Sequence, residues 1–153
     1  LVVSTLHTNS APATVTRLMD MGIEPYLIAA TLNGVVAQRL VRRLCGACAE
    51  ATPATPQERL RLGIPDDAPL SLKRARGCPA CNGTGYRGRM VASEIMTLDG
   101  ELRGLIAHRA DEQTLAARAR DAGMTGLADS ARARVLDGDT TLDEVGRVLE
   151  GTL

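Results

Sequence analysis

The sequence contains four cysteines, arranged as two pairs of identical spacing, Cys45-x-x-Cys48 and Cys78-x-x-Cys81. A gap of two residues lets both thiolates of a pair bind one cation, and two such pairs complete a tetrahedral shell of four sulfur ligands. This pattern is typical of a structural zinc site. Because four thiolates leave no coordination position for water or substrate, the predicted role of the metal is to stabilise the fold and not to catalyse a reaction.

Disulfide bonds are the main alternative use of these cysteines, since an even cysteine count also fits a small secreted domain. We expect no secreted context, because no signal peptide is visible. Iron–sulfur ligation is disfavoured, because nothing in the sequence points to redox chemistry. The 29 residues between Cys48 and Cys78 exceed the common spacing of zinc ribbons. The intervening segment is therefore predicted to loop out, with a short helix at residues 57–62.

The composition indicates a folded protein with an aliphatic core. Apolar residues make up 44% of the 153 positions, yet the sequence has no Phe or Trp and only two tyrosines, Tyr26 and Tyr86. The formal net charge of zero argues against a broad nucleic-acid surface, which normally carries a basic excess. No apolar run is long enough to span a bilayer. Zinc-bound thiolates fit a reducing cytoplasm, so a cytoplasmic protein without a membrane span is expected.

The first part of the chain has the pattern of an α/β protein. Residues 1–6 are predicted to form a strand, and the absence of any preceding neighbour suggests a piece of a larger α/β domain. Ser10 is a plausible N-cap for a helix that ends near Gly22. A longer helix is predicted over residues 25–44, beginning at Pro25.

After the second cysteine pair, a strand is predicted at residues 90–96, followed by helices only. Thr141-x-x-Glu144 has the spacing of a capping box for the last helix. The predicted helices cover residues 100–108, 113–122, 126–136 and 142–149, which suggests a small helical bundle.

Several stretches of the sequence resemble motifs of the secretion and pilus-assembly ATPases, and they occur along the chain in the same order as in that family. The run Ser4-Thr5-Leu6-His7-Thr8-Asn9 is similar to the histidine box of that family. Joined to the two cysteine pairs, this match becomes highly specific, and it extends over essentially the whole chain. The other matching stretches are Thr16-Arg17-Leu18, Met21-Gly22-Ile23-Glu24-Pro25, Ala37-Gln38-Arg39-Leu40-Val41-Arg42, Gly85-Tyr86-Arg87-Gly88-Arg89 and Gly138-Asp139-Thr140-Thr141-Leu142-Asp143-Glu144-Val145.

The resemblance is greatest to the C-terminal part of a type II secretion traffic ATPase. It implies a RecA-like core, assembly into cytoplasmic hexamers and hydrolysis of ATP with Mg²⁺ to drive pseudopilus assembly. It further implies docking on inner-membrane platform proteins, so that the protein is peripheral at that membrane. His7 would lie near the γ-phosphate and Thr8 would contact the nucleotide. The implied division is residues 1–44 for the end of the ATPase core, 45–97 for the tetracysteine zinc subdomain with its return strand, and 98–153 for the helical subdomain.

One departure from the family pattern limits these expectations. The sequence contains no G-x-x-x-x-G-K-[ST] loop, so it does not supply the phosphate cradle, its lysine or the hydroxyl that binds Mg²⁺. This chain alone is therefore expected to be inactive and not to bind ATP tightly, although the full-length protein would be an ATPase.

Three alternatives remain open from the sequence. A type IV pilus assembly ATPase shares the same motifs. The second alternative is a non-enzymatic zinc-binding interaction module. Residues 78–85 resemble the C-x-x-C-x-G-x-G repeat of J-domain chaperones, but the first cysteine pair lacks both glycines of that repeat. A small disulfide-linked domain is the third.

Overall fold

The structure is a computed structural model that describes residues 1–65, 67 and 69–149. It confirms a mixed α/β protein, in which the chain divides into two compact units. Unit 1 comprises Leu1–Gln38 and Ser93–Leu127, and unit 2 comprises Arg39–Ala92 and the chain from Ala128 onward. The end of the predicted helical subdomain, residues 150–153, lies outside the described residues.

The described chain contains seven α-helices and four strands, and the last four of these elements are all helices. The helices are α1 (Ala11–Asp20), α2 (Pro25–Thr31), α3 (Pro56–Leu62), α4 (Gly100–Ala107), α5 (Glu112–Asp121), α6 (Leu127–Leu136) and α7 (Leu142–Val148). The strands are β1 (Gly34–Leu44), β2 (Ala49–Pro53), β3 (Ser71–Ala75) and β4 (Tyr86–Thr97). Strand β1 pairs with β4, and β2 pairs with β3, giving two sheets of two strands each among the described residues.

Unit 1 is a helical cluster with a core of aliphatic side chains, as its composition predicts. Helix α1 begins as expected, because the Ser10 hydroxyl accepts a hydrogen bond from the Ala13 N–H at 3.0 Å. It ends before Gly22, whose φ of +86° suits glycine and lets the chain reverse. The fully buried side chains that pack together in this unit include Val15, Leu102, Ile106 and Leu115.

The predicted helix over residues 25–44 is wrong in its second half. Helix α2 ends at Thr31, and residues 34–44 form strand β1. From Val35 to Val41, every second residue is partly or fully buried and the residues between them are exposed. A repeat of two residues is the period of a strand. The apolar spacing of this segment fits both periods, and the strand is the conformation in which it pairs with β4.

The predicted strand at residues 1–6 is not formed. The structure assigns this segment to neither described sheet, and Leu1, Val2 and Val3 are almost fully exposed. Strand propensity alone does not create a strand, because the backbone groups need a neighbour to pair with. The segment has no regular secondary structure and leads to His7 and α1.

Unit 2 contains the insert between the cysteine pairs. Its two short strands pair antiparallel from Ala49 opposite Ala75 to Pro53 opposite Ser71. Helix α3 lies between them, which confirms the predicted short helix at residues 57–62. This helix is capped reciprocally, since the Thr55 hydroxyl accepts from the Glu58 N–H while the Glu58 carboxylate accepts from the Thr55 N–H.

The last four helices follow the prediction, but the capping box at the start of α7 forms only in part. The Thr141 hydroxyl accepts from the Glu144 N–H at 3.1 Å, as expected. The Glu144 side chain does not turn back to the cap. It accepts hydrogen bonds from the guanidinium groups of Arg42 and Arg147 and from the Arg42 main-chain N–H.

Glu144 is therefore the buried centre of an ion-pair cluster within unit 2. Its side chain is 0% exposed. Burial alone would raise the pKa of this carboxyl, but the hydrogen bonds from Arg147 and Arg42 outweigh burial and lower the pKa to about 2. The Arg42 guanidinium also lies 4.1 Å from the centre of the Tyr86 ring, and the Tyr86 hydroxyl contacts that of Thr141 at 2.7 Å. These contacts fix the start of α7 against β1 and β4.

Within the part of the chain that the structure describes, no helix is both long and apolar enough to cross a bilayer.

The Glu144 cluster predicts a stability change with pH. The free energy of unfolding of Glu144→Ala should fall by about 2 kcal/mol at pH 7, because the substitution removes the charge-assisted hydrogen bonds that Arg42 and Arg147 donate to a buried carboxylate. Since the folded-state pKa is lowered from about 4.5 to about 2, the contribution of Glu144 is complete above pH 4.5 and disappears as the pH falls towards 2. Urea unfolding followed by circular dichroism at several pH values measures the difference from wild type.

Asp137→Ala is the matched control, because this exposed carboxylate has no side-chain partner among the described residues. An equal loss of stability in both variants, or a difference that persists unchanged at pH 2, would contradict the assignment.

Candidate metal centre

The first cysteine pair lies in a tight turn between two strands. Cys45 follows the last residue of β1, and Cys48 precedes the first residue of β2. The turn is closed by hydrogen bonds from the N–H groups of Cys48 and Ala49 to the Cys45 carbonyl, at 3.1 and 3.0 Å. Both thiols of the pair are thereby directed to the same side.

The second pair lies on a short 3-10 turn, Pro79–Cys81. The Cys78 carbonyl accepts from the N–H groups of Cys81 and Gly83, and Asn82 takes the left-handed conformation with a φ of 51°. This second turn has the same form as the first, in that both close back on the carbonyl of their leading cysteine.

Two backbone contacts bring the pairs together across the 29-residue insert. The Cys45 N–H donates to the Gly85 carbonyl at 2.9 Å, and Ala49 pairs with Ala75 at the base of the β2–β3 ladder. The insert thus leaves and returns at neighbouring positions. The long spacing between the two cysteine pairs therefore still allows a single site. This agrees with the prediction that the segment between the pairs loops out.

The four sulfur atoms form one cluster. All of them lie within 4.8 Å of one another. The Sγ–Sγ distances are 3.9 Å for Cys45–Cys78, 3.9 Å for Cys48–Cys81 and 3.8 Å for Cys78–Cys81. Metal–sulfur bonds of about 2.3 Å in a tetrahedron give an edge of about 3.8 Å. A disulfide would need about 2.05 Å, so these are four separate thiols that can hold one metal ion.

The thiols differ in acidity. Burial opposes ionisation of Cys81, but N–H groups of Cys78 and Gly85, each 3.2 Å from its sulfur, help to lower the pKa to about 6. Burial raises the pKa of Cys48 to about 12, and the three neighbouring thiols add to the increase. Such divergence is expected when four thiols share one site, since each negative charge disfavours the next. A divalent cation would remove this repulsion.

Burial completes the description of the site. Cys45 and Cys81 are buried, and Cys48 and Cys78 are partly exposed. With four sulfur ligands, a tetrahedral ion in this cluster has no position left for substrate. The arrangement is suited to cross-linking two chain segments and not to catalysis.

Two glycines beside the cluster have the same backbone conformation but different surroundings. Gly83 and Gly85 both have a φ of +76°. A Cβ at Gly83 would meet nothing within 4 Å, whereas a Cβ at Gly85 would lie 2.6 Å from the Cβ of Ala75. Gly85 therefore permits the close approach of the β3 end to the cysteine turn.

The other predicted site residues, His7 and Thr8, lie in unit 1 just before α1. His7 is exposed. The Thr14 hydroxyl donates to the Ser10 carbonyl at 3.1 Å, so the contact of 2.7 Å between the hydroxyls of Thr8 and Thr14 requires Thr8 to be the donor. The hydroxyl proton of Thr8 is thus committed within the fold. Donation from Thr8 to a phosphate would require this hydrogen bond to break.

Sequence reasoning missed two buried carboxylates, Glu94 and Glu144. Glu144 was assigned only to a helix cap. Glu94 lies at an inward position of β4, between the buried Ala92 and Met96. The sequence pattern could have revealed Glu94, because it stands in line with the apolar residues that face inward on this strand. An acid buried at such a position must have hydrogen-bond partners.

Comparison with known proteins now adds to this geometry. Residues 1–147 match the family described as type II/IV secretion system protein. The chain belongs to this family. It is 49% identical over 148 residues, 97% of its length, to the type II secretion system protein E of Pseudomonas aeruginosa, and it covers 29% of that protein.

Members from both systems of the family are similar to this chain. The type II secretion system ATPase E of Vibrio cholerae is 47% identical over 97% of the chain, which covers 29% of that relative. The type IV pilus assembly ATPase of Myxococcus xanthus is 44% identical over 95% of the chain, which covers 26% of that relative. The chain therefore spans less than a third of the length of these secretion-family relatives.

The matched glycines give a test of the site. Gly83→Ala should cost about 1 to 2 kcal/mol of stability through left-handed strain alone. Gly85→Ala adds the clash with Ala75 and displaces the N–H that contacts Cys81. We expect it to weaken cobalt binding about tenfold relative to Gly83→Ala, as measured by titration of the thiolate-to-cobalt absorption band. Identical affinities in the two variants would show that close packing at Gly85 does not shape the site.

Proposed function

We propose that this chain is the C-terminal part of a secretion ATPase whose tetracysteine cluster binds one structural zinc ion. The observation that supports the proposal most directly is the near-complete match to proteins named type II secretion system protein E, at up to 49% identity. The four converging cysteines lie inside the matched region. The predicted RecA-like core, the three-part division and the C-terminal helical bundle belong to this proposal.

The zinc proposal rests on the donor set. Four sulfur ligands at tetrahedral separations suit zinc, which binds Cys₄ sites in closed structural centres. Zinc bound there would lend its binding free energy to the fold, because the ligands come from two distant segments. The chain has no aromatic residue besides two tyrosines to enlarge its core, so such a cross-link would stabilise unit 2 substantially.

His7 has a different role in the proposal. The exposed imidazole precedes the N-terminus of α1, and it would contact the γ-phosphate of ATP held with Mg²⁺ by other parts of the whole protein. Its nitrogens can donate a hydrogen bond to a phosphate oxygen and thereby orient it. Thr8 would contribute only after its hydroxyl leaves Thr14. The chain itself would position the imidazole, while the phosphate cradle would come from outside these residues.

The biological role that we propose is type II protein secretion, in which a hexameric ATPase in the cytoplasm acts on inner-membrane platform proteins to assemble a pseudopilus. Type IV pilus assembly is the second candidate, since the Myxococcus xanthus relative with that name is 44% identical. The higher identity to type II proteins of two species favours secretion. We further propose that the insert between the cysteine pairs docks on a platform protein or a neighbouring subunit.

Metal content provides one test. We expect about one zinc ion per chain, because four thiolates complete a single shell. Elemental analysis after purification under reducing conditions measures the ratio, and Cys45→Ser with Cys48→Ser should abolish zinc binding. A metal-free protein with oxidised cysteines would overturn the zinc proposal. A zinc-loaded chain that also binds ATP tightly by itself would contradict the assignment of the phosphate cradle to other parts of the protein.

The two histidines of the chain provide a second test, in the whole protein. His7→Ala should lower kcat for ATP hydrolysis about a hundredfold, if the imidazole orients the reacting phosphate. His108→Ala is the matched control, because His108 is an exposed residue at the end of α4 whose ring has one hydrogen bond among the described residues, to the Gly104 carbonyl. Equal kcat values in the two variants would exclude the proposed role of His7.

A further inference from the structure

Glu94 is a buried carboxyl group that neither the cysteine cluster nor the proposed role of His7 uses. It lies on β4 and is 5% exposed. Among the described residues, no lysine, arginine or histidine side chain forms an ion pair with it. A buried carboxyl group without a cationic partner is costly unless hydrogen bonds satisfy its oxygens.

Both oxygens of Glu94 are satisfied by main-chain N–H groups. Oε1 accepts from Ala11, the first residue of α1, at 2.7 Å. Oε2 accepts from Leu127, the first residue of α6, at 3.0 Å. The first N–H groups of a helix have no partner within the helix, and they favour a negative group nearby. Glu94 therefore fixes the position at which α1 begins.

The segment between His7 and α1 is held at three further points. Thr8 donates to Thr14, and the Ser10 carbonyl accepts from the Thr14 hydroxyl. The Ser10 hydroxyl donates to Glu112 on α5 at 3.0 Å. The Glu112 contact is exposed and the Glu94 contact is buried, so Glu94 is the stronger anchor of the helix start.

We propose that Glu94 is a positioning residue that holds the start of α1 and thereby the His7 imidazole in the orientation needed to meet a phosphate. The inference rests on the proposed role of His7 for its functional consequence, whereas its structural part stands without it. Glu94 does not touch the nucleotide in this proposal. It acts through Ala11 and the three residues that separate Ala11 from His7.

The substitution Glu94→Gln isolates this role, because the two side chains have nearly the same shape. A carboxamide has one acceptor oxygen, and its NH₂ group would face the other main-chain N–H as a second donor. One of the two anchoring hydrogen bonds is then lost while packing is kept. Glu101→Gln is the matched control, since the Glu101 side chain is 76% exposed and lies in the same unit.

The first measurement uses this 153-residue chain and needs no nucleotide. In Glu94→Gln, hydrogen exchange at the Ala11 or Leu127 amide should become about tenfold faster, as expected for the loss of one hydrogen bond. The NMR signals of the His7 ring should shift, and those of His108 should not. Unchanged exchange at both amides and unchanged His7 signals would overturn the proposal.

The second measurement uses the whole protein and separates this proposal from the role of His7 itself. Glu94→Gln should lower kcat about tenfold with KM for ATP within about twofold, since misorientation affects the reacting geometry more than binding. Glu94→Asp, which retains two acceptor oxygens, should restore part of kcat, whereas Glu101→Gln should match wild type. Thermal melting of each variant controls for unfolding.

Outcomes of the two measurements distinguish the possible failures. If His7→Ala leaves kcat unchanged, the proposed function of His7 fails, and the exchange experiment still decides whether Glu94 anchors α1. If His7→Ala lowers kcat but Glu94→Gln does not, the positioning role is overturned. Should Glu94→Gln fail to fold, Glu94→Asp carries the test, because its carboxylate is one methylene shorter and should not reach both main-chain N–H groups at hydrogen-bond distance. Exchange at Ala11 or Leu127 should then be faster than in wild type and kcat lower, and wild-type values of both in that folded variant would reject the role.

Discussion

The structure of unit 2 depends on one constraint, the convergence of two cysteine turns that are 29 residues apart. The chain leaves at Cys45 and returns at Gly85, and the backbone hydrogen bond between these residues closes the insert at its base. Close packing of Gly85 on Ala75 is possible because Gly85 has no Cβ. Four sulfurs at tetrahedral separations follow from this closure, so the site is a product of backbone pairing as much as of cysteine spacing.

A buried carboxyl group joins separate elements in each of the two units. In unit 2, the Glu144 carboxylate joins α7 to β1 through Arg42. In unit 1, the Glu94 carboxyl group joins β4 to the start of α1 through Ala11. Each of these acids is buried, and each is fully hydrogen-bonded, so removal of either leaves partners unsatisfied in a region from which water is largely excluded.

Glu144 and Glu58 occupy the same position in a capping-box motif, but their side chains have different partners. Thr141 and Glu144 have the spacing of a capping box, and Thr141 does cap α7. Glu144 instead accepts hydrogen bonds from two guanidinium groups and from the Arg42 main-chain N–H, and these contacts use both of its oxygens. At Thr55 and Glu58 the same spacing gives a complete capping box, although Glu58 also binds Arg74. Local spacing predicts that the threonine caps the helix, and the tertiary structure decides whether the acid also turns back to the cap.

The sequence by itself determined the cysteine cluster, the start of α1 at Ser10, the last four helices and the family, because cysteine pairs, caps and helical periodicity are local properties. Only the tertiary structure decided that residues 34–44 form a strand, since their apolar spacing fits two periods and the pairing with β4 selects one. Residues 1–6 have strand propensity but no neighbour in either described sheet, so they form no strand. The partners of Glu94, 83 residues away at Ala11 and 33 away at Leu127, depend on folding of the chain and not on any local pattern.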